Sequence, residues 1–148
     1  MKFYAGSDHG GFNLKNTLIR KLEQMGHQVE DLGTHSKDSC DYPDYAHAVA
    51  RKVLADQSSF GLLICGSGIG ISIAANRHAG IRAALCRSGL EAELSRQHND
   101  ANVLVLGERI TGEALAIDIL EKFLTAKFEG NRHTNRINKI DMIEQQGE

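Results

Sequence analysis

Apolar residues along this chain follow two alternating patterns. Short, nearly continuous apolar runs read as strands: Lys2 to Ser7, Phe60 to Cys65, Gly80 to Leu85 and Asn102 to Leu106, with a more polar one at His27 to Leu32. Between them, apolar residues recur at three- and four-residue spacing. Phe12, Leu14, Leu18, Leu22 and Met25 form one such stripe, stopped by Gly26. Tyr45, Ala46, Val49, Ala50, Val53 and Leu54 form another, with Tyr42-Pro43 at its start, where proline suits a first helical turn. Ile69 to Asn76 reads as a short helix, and Ser88 to Gln97 as one capped by Ser88. Leu115, Ile119, Leu120, Phe123 and Leu124 supply the next, opened by Thr111-Gly112. Ile137, Ile140 and Ile143 are spaced for a final helix over about 131–146. Its little apolar surface suits packing on a partner subunit.

Strand and helix in alternation predict an α/β fold: a three-layer αβα sandwich on a Rossmann-like, five-stranded, mainly parallel sheet. There is no internal repeat or low-complexity stretch, and residues 1–148 read as a single domain. Parallel sheets bind ligands at the carboxyl ends of their strands. Two glycine-bearing turns, after Ser7 and after Cys65, fall at such ends and are expected to face one cleft.

Composition narrows the function. A formal net charge of −2 over 148 residues gives no support for a nucleic-acid partner. No apolar run approaches a membrane span, and the N-terminus enters a strand at once without a signal-peptide pattern. The three cysteines, Cys40, Cys65 and Cys86, are an odd count with no CxxC pair, which points to free thiols and a cytoplasmic location. No HExxH or similar cluster unites the histidines, so neither a metal nor a cofactor is expected.

The candidate chemistry centres on Cys65-Gly66-Ser67-Gly68-Ile69-Gly70. A glycine turn between a strand and a helix brings backbone N–H groups to one point and favours an anion: a phosphate, an oxyanion or a thiolate. Ile71 stands where a dinucleotide fingerprint needs glycine and where a phosphatase loop needs arginine, and no Gly-Lys-Ser/Thr follows. A thiol just before a helix N-terminus favours its thiolate. It can serve a hydrolase with His98 as partner, or act as the base that removes a proton next to a carbonyl. Asp8-His9, ending the first strand, offers a carboxylate able to pass protons between hydroxyls. His98-Asn99-Asp100 reads as a turn that carries His98 over the cleft. Arg132 and Arg136, four apart, with Arg109 and His133, can clamp a phosphate dianion.

Taken in order, Gly6-Ser7-Asp8-His9-Gly10-Gly11, Asp41-Tyr42-Pro43, Cys65 to Gly70, Ser95 to Asn102 and Gly130-Asn131-Arg132-His133 resemble the ribose/galactose isomerase family over nearly the whole chain. The resemblance implies interconversion of ribose 5-phosphate and ribulose 5-phosphate, in the non-oxidative pentose phosphate pathway, through a cis-enediol(ate) without a metal. It implies Cys65 as the base, since Ile71 stands where another branch of the family has glutamate. Gly66, Ser67, Gly68, Ile69 and Gly70 would hold the enediolate, Ser67 keeping a hydroxyl where threonine is common. His98 would open the sugar ring and Asp8 carry the proton between O1 and O2. His9, Arg132 and Arg136 would hold the phosphate, and Asn99, Arg109 and Tyr42 would line the site. The family also implies a homodimer or homotetramer with sites across the dimer interface. An allose or galactose 6-phosphate isomerase of the same family is the near alternative, and a cysteine hydrolase the distant one.

Overall fold

The computed structural model describes residues 1–142. Five strands form one sheet: β1 (Lys2–Ser7), β2 (Gln28–Asp31), β3 (Phe60–Cys65), β4 (Ala83–Leu85) and β5 (Val103–Gly107). Their order is β2-β1-β3-β5-β4 and every pairing is parallel, so the expected "mainly parallel" sheet is wholly so. The helices are α1 (Phe12–Gln24), α2 (Tyr42–Ala55), α3 (Ile69–Ala75), α4 (Gly89–Asn99), α5 (Glu113–Thr125) and α6 (Arg132–Asn138).

Period-two alternation along β3 builds the three layers. Leu62 and Ile64 point to one face, joining Leu14, Leu18 and Leu22 of α1, Ala92 of α4 and Ile119, Leu120 and Phe123 of α5. Leu63 and Cys65 point to the other, joining Val49 and Val53 of α2 and Ile71 and Ala75 of α3. Both faces are covered, which is why the strand reads as an unbroken apolar run. Leu62, Leu63 and Ile64 are fully buried. Truncating either leucine to alanine costs about 2–5 kcal/mol.

The order of the sheet fixes where a ligand binds. From β1 the chain moves outward to β2, then returns to place β3 on the other side of β1. The topological switch point therefore lies between β1 and β3, outside their carboxyl ends. Ser7 pairs with Ile64 in register, so Asp8 and Cys65, the residues after each, emerge together.

Three expectations are corrected. β4 begins at Ala83 instead of Gly80. Gly80 has φ +84, and the Arg82 N–H bonds the Asn102 side chain. The Asn76 amide takes both polar groups of Ala83 at 2.9 Å, along the edge facing away from β5. His98-Asn99 is not a turn but the last two residues of α4, which closes at Asp100 with φ 44. The final helix ends at Asn138: the Asp141 carboxylate accepts the Gly80 N–H, drawing the chain across to the end of α3. Ile143 lies outside the described residues. Among the described residues no helix is long and apolar enough to cross a membrane.

Candidate active site

A cleft of about 510 Å3 opens at the switch point, lined by Asp8, His9, Gly10, Tyr42, Cys65, Gly66, Ser67, Gly70, Arg109 and Ile110. The two glycine turns do share it: a Cβ on Gly10 would lie 3.2 Å from the Gly66 nitrogen and 3.3 Å from Asp8 Oδ1.

Cys65 ends β3 and is 4% exposed. Gly68 takes φ +78, a left-handed conformation that suits glycine, and this turns its N–H back onto Cys65 Sγ at 3.1 Å. The thiol is thus held as a hydrogen-bond acceptor at the mouth of the turn. Ser67 Oγ accepts from the Ile69 N–H at 3.2 Å. Gly70 and Ile71 lie in the first turn of α3, where N–H groups have no acceptor within the helix. The turn therefore keeps donors beside the sulfur. Ile69, by contrast, is 46% exposed and does not line the cleft.

Asp8 is the N-cap of the single 3₁₀ turn His9–Gly11, yet its side chain makes no cap bond. Its Oδ1 is buried and has no hydrogen-bond partner among the described residues, and the Ser7 hydroxyl is in the same condition. An unpaired acceptor under a cleft is costly unless a ligand hydroxyl or a water meets it. His9 Nδ1 accepts from the Cys40 N–H at 3.2 Å. That leaves Nε2 to carry the proton and makes His9 a donor toward the cleft.

The loop after β5 closes the other side. Glu108 and Arg109 donate their N–H groups to the carbonyls of Cys65 and Gly66 at 3.0 and 2.9 Å. The Glu108 carboxylate accepts from the Leu14 N–H at 2.9 Å and from Asn13 at 3.1 Å, pinning the loop to the start of α1. The Arg109 guanidinium lies against Gly66.

A second group of expected site residues stands apart from this cleft. His98, Asn99, Arg132 and Arg136 do not line it. They gather where α4 ends and α6 begins. The His98 ring stacks on His133, centroids 4.4 Å apart and planes 12° from parallel. Burial, then the neighbouring His98 and Arg132, lower the pKa of His133 from the ordinary histidine value, with Glu129 opposing. Asp100 fixes the end of α4 by accepting from Arg96 at 2.7 Å and Arg82 at 3.3 Å. The burial of His133 is not predicted by its sequence setting. An isolated histidine in a polar stretch carries no periodic signal that it is buried. Ser7 and Ile110 were also missed, although Ser7 lies inside a motif that was singled out. Because His98 is absent from the cleft of Cys65, one chain alone does not form the Cys–His pair of a cysteine hydrolase.

The fold and the cleft define a class: a parallel α/β enzyme with a thiol, a carboxylate and a glycine turn gathered at its switch point. The chain belongs to the ribose/galactose isomerase family, whose model matches residues 3–140. It is 49% identical to ribose-5-phosphate isomerase B of Escherichia coli over 144 residues, 97% of each protein. The solved ribose-5-phosphate isomerase B of Clostridium thermocellum matches at a TM-score of 0.96 and 50% identity, covering 99% of both chains. That of Mycoplasma genitalium, with bound ribulose-5-phosphate, matches at 0.93 and 41% identity, covering 99% of this chain and 97% of the other.

Proposed function

We propose that this chain is a cytoplasmic aldose–ketose isomerase that interconverts D-ribose 5-phosphate and D-ribulose 5-phosphate through a cis-enediolate. The observation that carries the reading is the convergence of Cys65 Sγ, the unpartnered Asp8 Oδ1 and the glycine turn in one cleft. In the open-chain aldose, Cys65 as thiolate removes the C2 proton and negative charge moves onto O1. Donors of the turn from Gly66 to Gly70 stabilise that charge where it develops. Asp8 takes the proton from O2 and delivers it to O1. Cys65 then returns its proton to C1, giving the ketose with no net gain or loss.

His98 opens the furanose by acid–base work on the ring oxygen. His9, Arg132 and Arg136 hold the phosphate, while Tyr42, Asn99 and Arg109 complete the walls. These residues fall into two groups on one chain, so the working site is composite, with the α4–α6 group supplied by the other subunit of a homodimer. Ile69 and Ile73, one turn apart on the outer face of α3, are 46% and 53% exposed beside the cleft, and such a face suits that interface.

Proton exchange tests the chemistry. In heavy water the wild-type chain should exchange the C2 proton of ribose 5-phosphate with solvent, read by NMR, and Cys65→Ala should not. Near-wild-type exchange in Cys65→Ala would rule out the thiolate base. Relative turnover of ribose, allose and galactose phosphates ranks the substrates.

A further inference from the structure

Away from the Cys65 cleft, three side chains of different segments converge. His98 ends α4, Glu129 lies in the loop after α5, and His133 sits in the first turn of α6. One ligand atom from each lies within 4.8 Å of the other two. His133 Nε2 is 3.6 Å from Glu129 Oε2. It is buried and has no hydrogen-bond partner among the described residues.

We propose that His98, Glu129 and His133 form a binding site for a borderline divalent transition metal of the zinc type, and that its occupation switches the isomerase off. Two imidazoles and one carboxylate with an open fourth position are a ligand set that zinc accepts. Tetrahedral bonds of about 2.0–2.2 Å put ligand atoms about 3.4 Å apart. The His133–Glu129 pair is already close to that spacing, and the remaining contraction falls to His98.

The site is held in place from behind. The Glu129 N–H donates to the Gln97 carbonyl at 3.0 Å, tying its loop to the residue before His98. The His133 N–H donates to Gly130 at 3.0 Å. Of the two rings, His133 is buried and His98 only half-buried. Two stacked, nearly parallel rings cannot both direct a lone pair at one ion. To bind, His98 must swing off His133 and commit a nitrogen to the metal. That inhibitory step rests on the ring-opening role given to His98 above. The binding step does not.

Zinc affinity is measured by competition with a chromophoric chelator, in a Cys65→Ala background that removes the cleft thiol. One zinc per chain is expected, with affinity at least tenfold lower when Glu129→Gln is added. Cobalt(II) in the same site should give a tetrahedral visible spectrum without thiolate charge transfer. Glu129 is half-exposed, so its substitution leaves the fold intact. Absence of stoichiometric binding, or equal affinity with and without Glu129→Gln, overturns the site. For inhibition, otherwise wild-type and Glu129→Gln chains are compared. Metal-free turnover should agree within twofold, and the zinc concentration for half-inhibition should rise at least tenfold in Glu129→Gln. Equal zinc sensitivity overturns the switch. A metal-free chain with no isomerase activity refutes the isomerase reading, and with it the switch, while the binding measurement still decides the site.

Discussion

Gly70 and Tyr42 touch so closely that a Cβ on the glycine would lie 2.5 Å from the Tyr42 ring carbon Cζ. The contact joins the first turn of α2 to the first turn of α3, across the cleft from Asp8. Gly70→Ala should therefore push the Tyr42 ring out of its place. The expected cost in stability is about 1–3 kcal/mol, as for other overpacked contacts. Steady-state kinetics should show KM rising together with a fall in kcat. Thermal melts separate this loss from unfolding.

The composite site proposed above makes a complementation prediction. Cys65→Ala and His98→Asn should each be nearly inactive on cyclic substrate, with losses of about 10²–10⁴-fold typical of a missing acid or base. Mixed and reassembled, the two variants form heterodimers in which one site is wholly wild type and the other doubly defective. Random mixing of a symmetric dimer should restore about a quarter of wild-type turnover. No recovery after verified subunit exchange would mean that each chain builds its site alone.

Acid should loosen the contact between α2 and the turn that follows α3. His47 Nδ1 and His78 Nε2 lie 2.7 Å apart, a hydrogen bond that needs one nitrogen without a proton. Burial, then His47 and Arg51, lower the pKa of His78 from its ordinary 6.5. Its unfolded form binds the proton more readily than its folded form. The stabilisation is therefore complete above 6.5 and is lost as pH falls from there toward the lower folded value. His27, lowered by burial and the N-terminal amine, adds to the same trend. Denaturant midpoints measured against pH should fall through this window, and less steeply in His78→Gln.

The three free thiols should label unequally. Cys86 is 2% exposed, and burial pushes its pKa up to about 11, against a lowering by Ser95. Near neutral pH it stays protonated and inert. Iodoacetamide followed by peptide mass mapping should leave Cys86 unmodified until the chain is unfolded. Ribose 5-phosphate should slow modification of Cys65.

The layered fold was legible because the three central strands, β1, β3 and β5, are buried on both faces, and each longer helix shows a stripe one face wide. Asp8 and Cys65 could be brought together on paper for the same reason, since both follow strands of a parallel sheet. What escaped depended on closures with no periodic signature. Asp100 ends α4 in a left-handed conformation that asparagine or glycine would advertise better, so the sequence alone predicts a turn at His98. β4 looked longer because Ile81 and Arg82 continue its pattern, although their loop is held by Asn102. The stacking of His98 on His133 joins residues 35 apart through packing alone.

The Asn76 amide, paired to both polar groups of Ala83, has a consequence for how copies of this chain meet. A bare sheet edge is a template on which another strand can grow, the usual route to runaway aggregation. Here the edge strand is three residues long and its first outward-facing pair is already satisfied by a side chain. Growth by strand addition finds no purchase at this border. Copies of the chain that meet at this border would do so through side chains and not through a shared sheet.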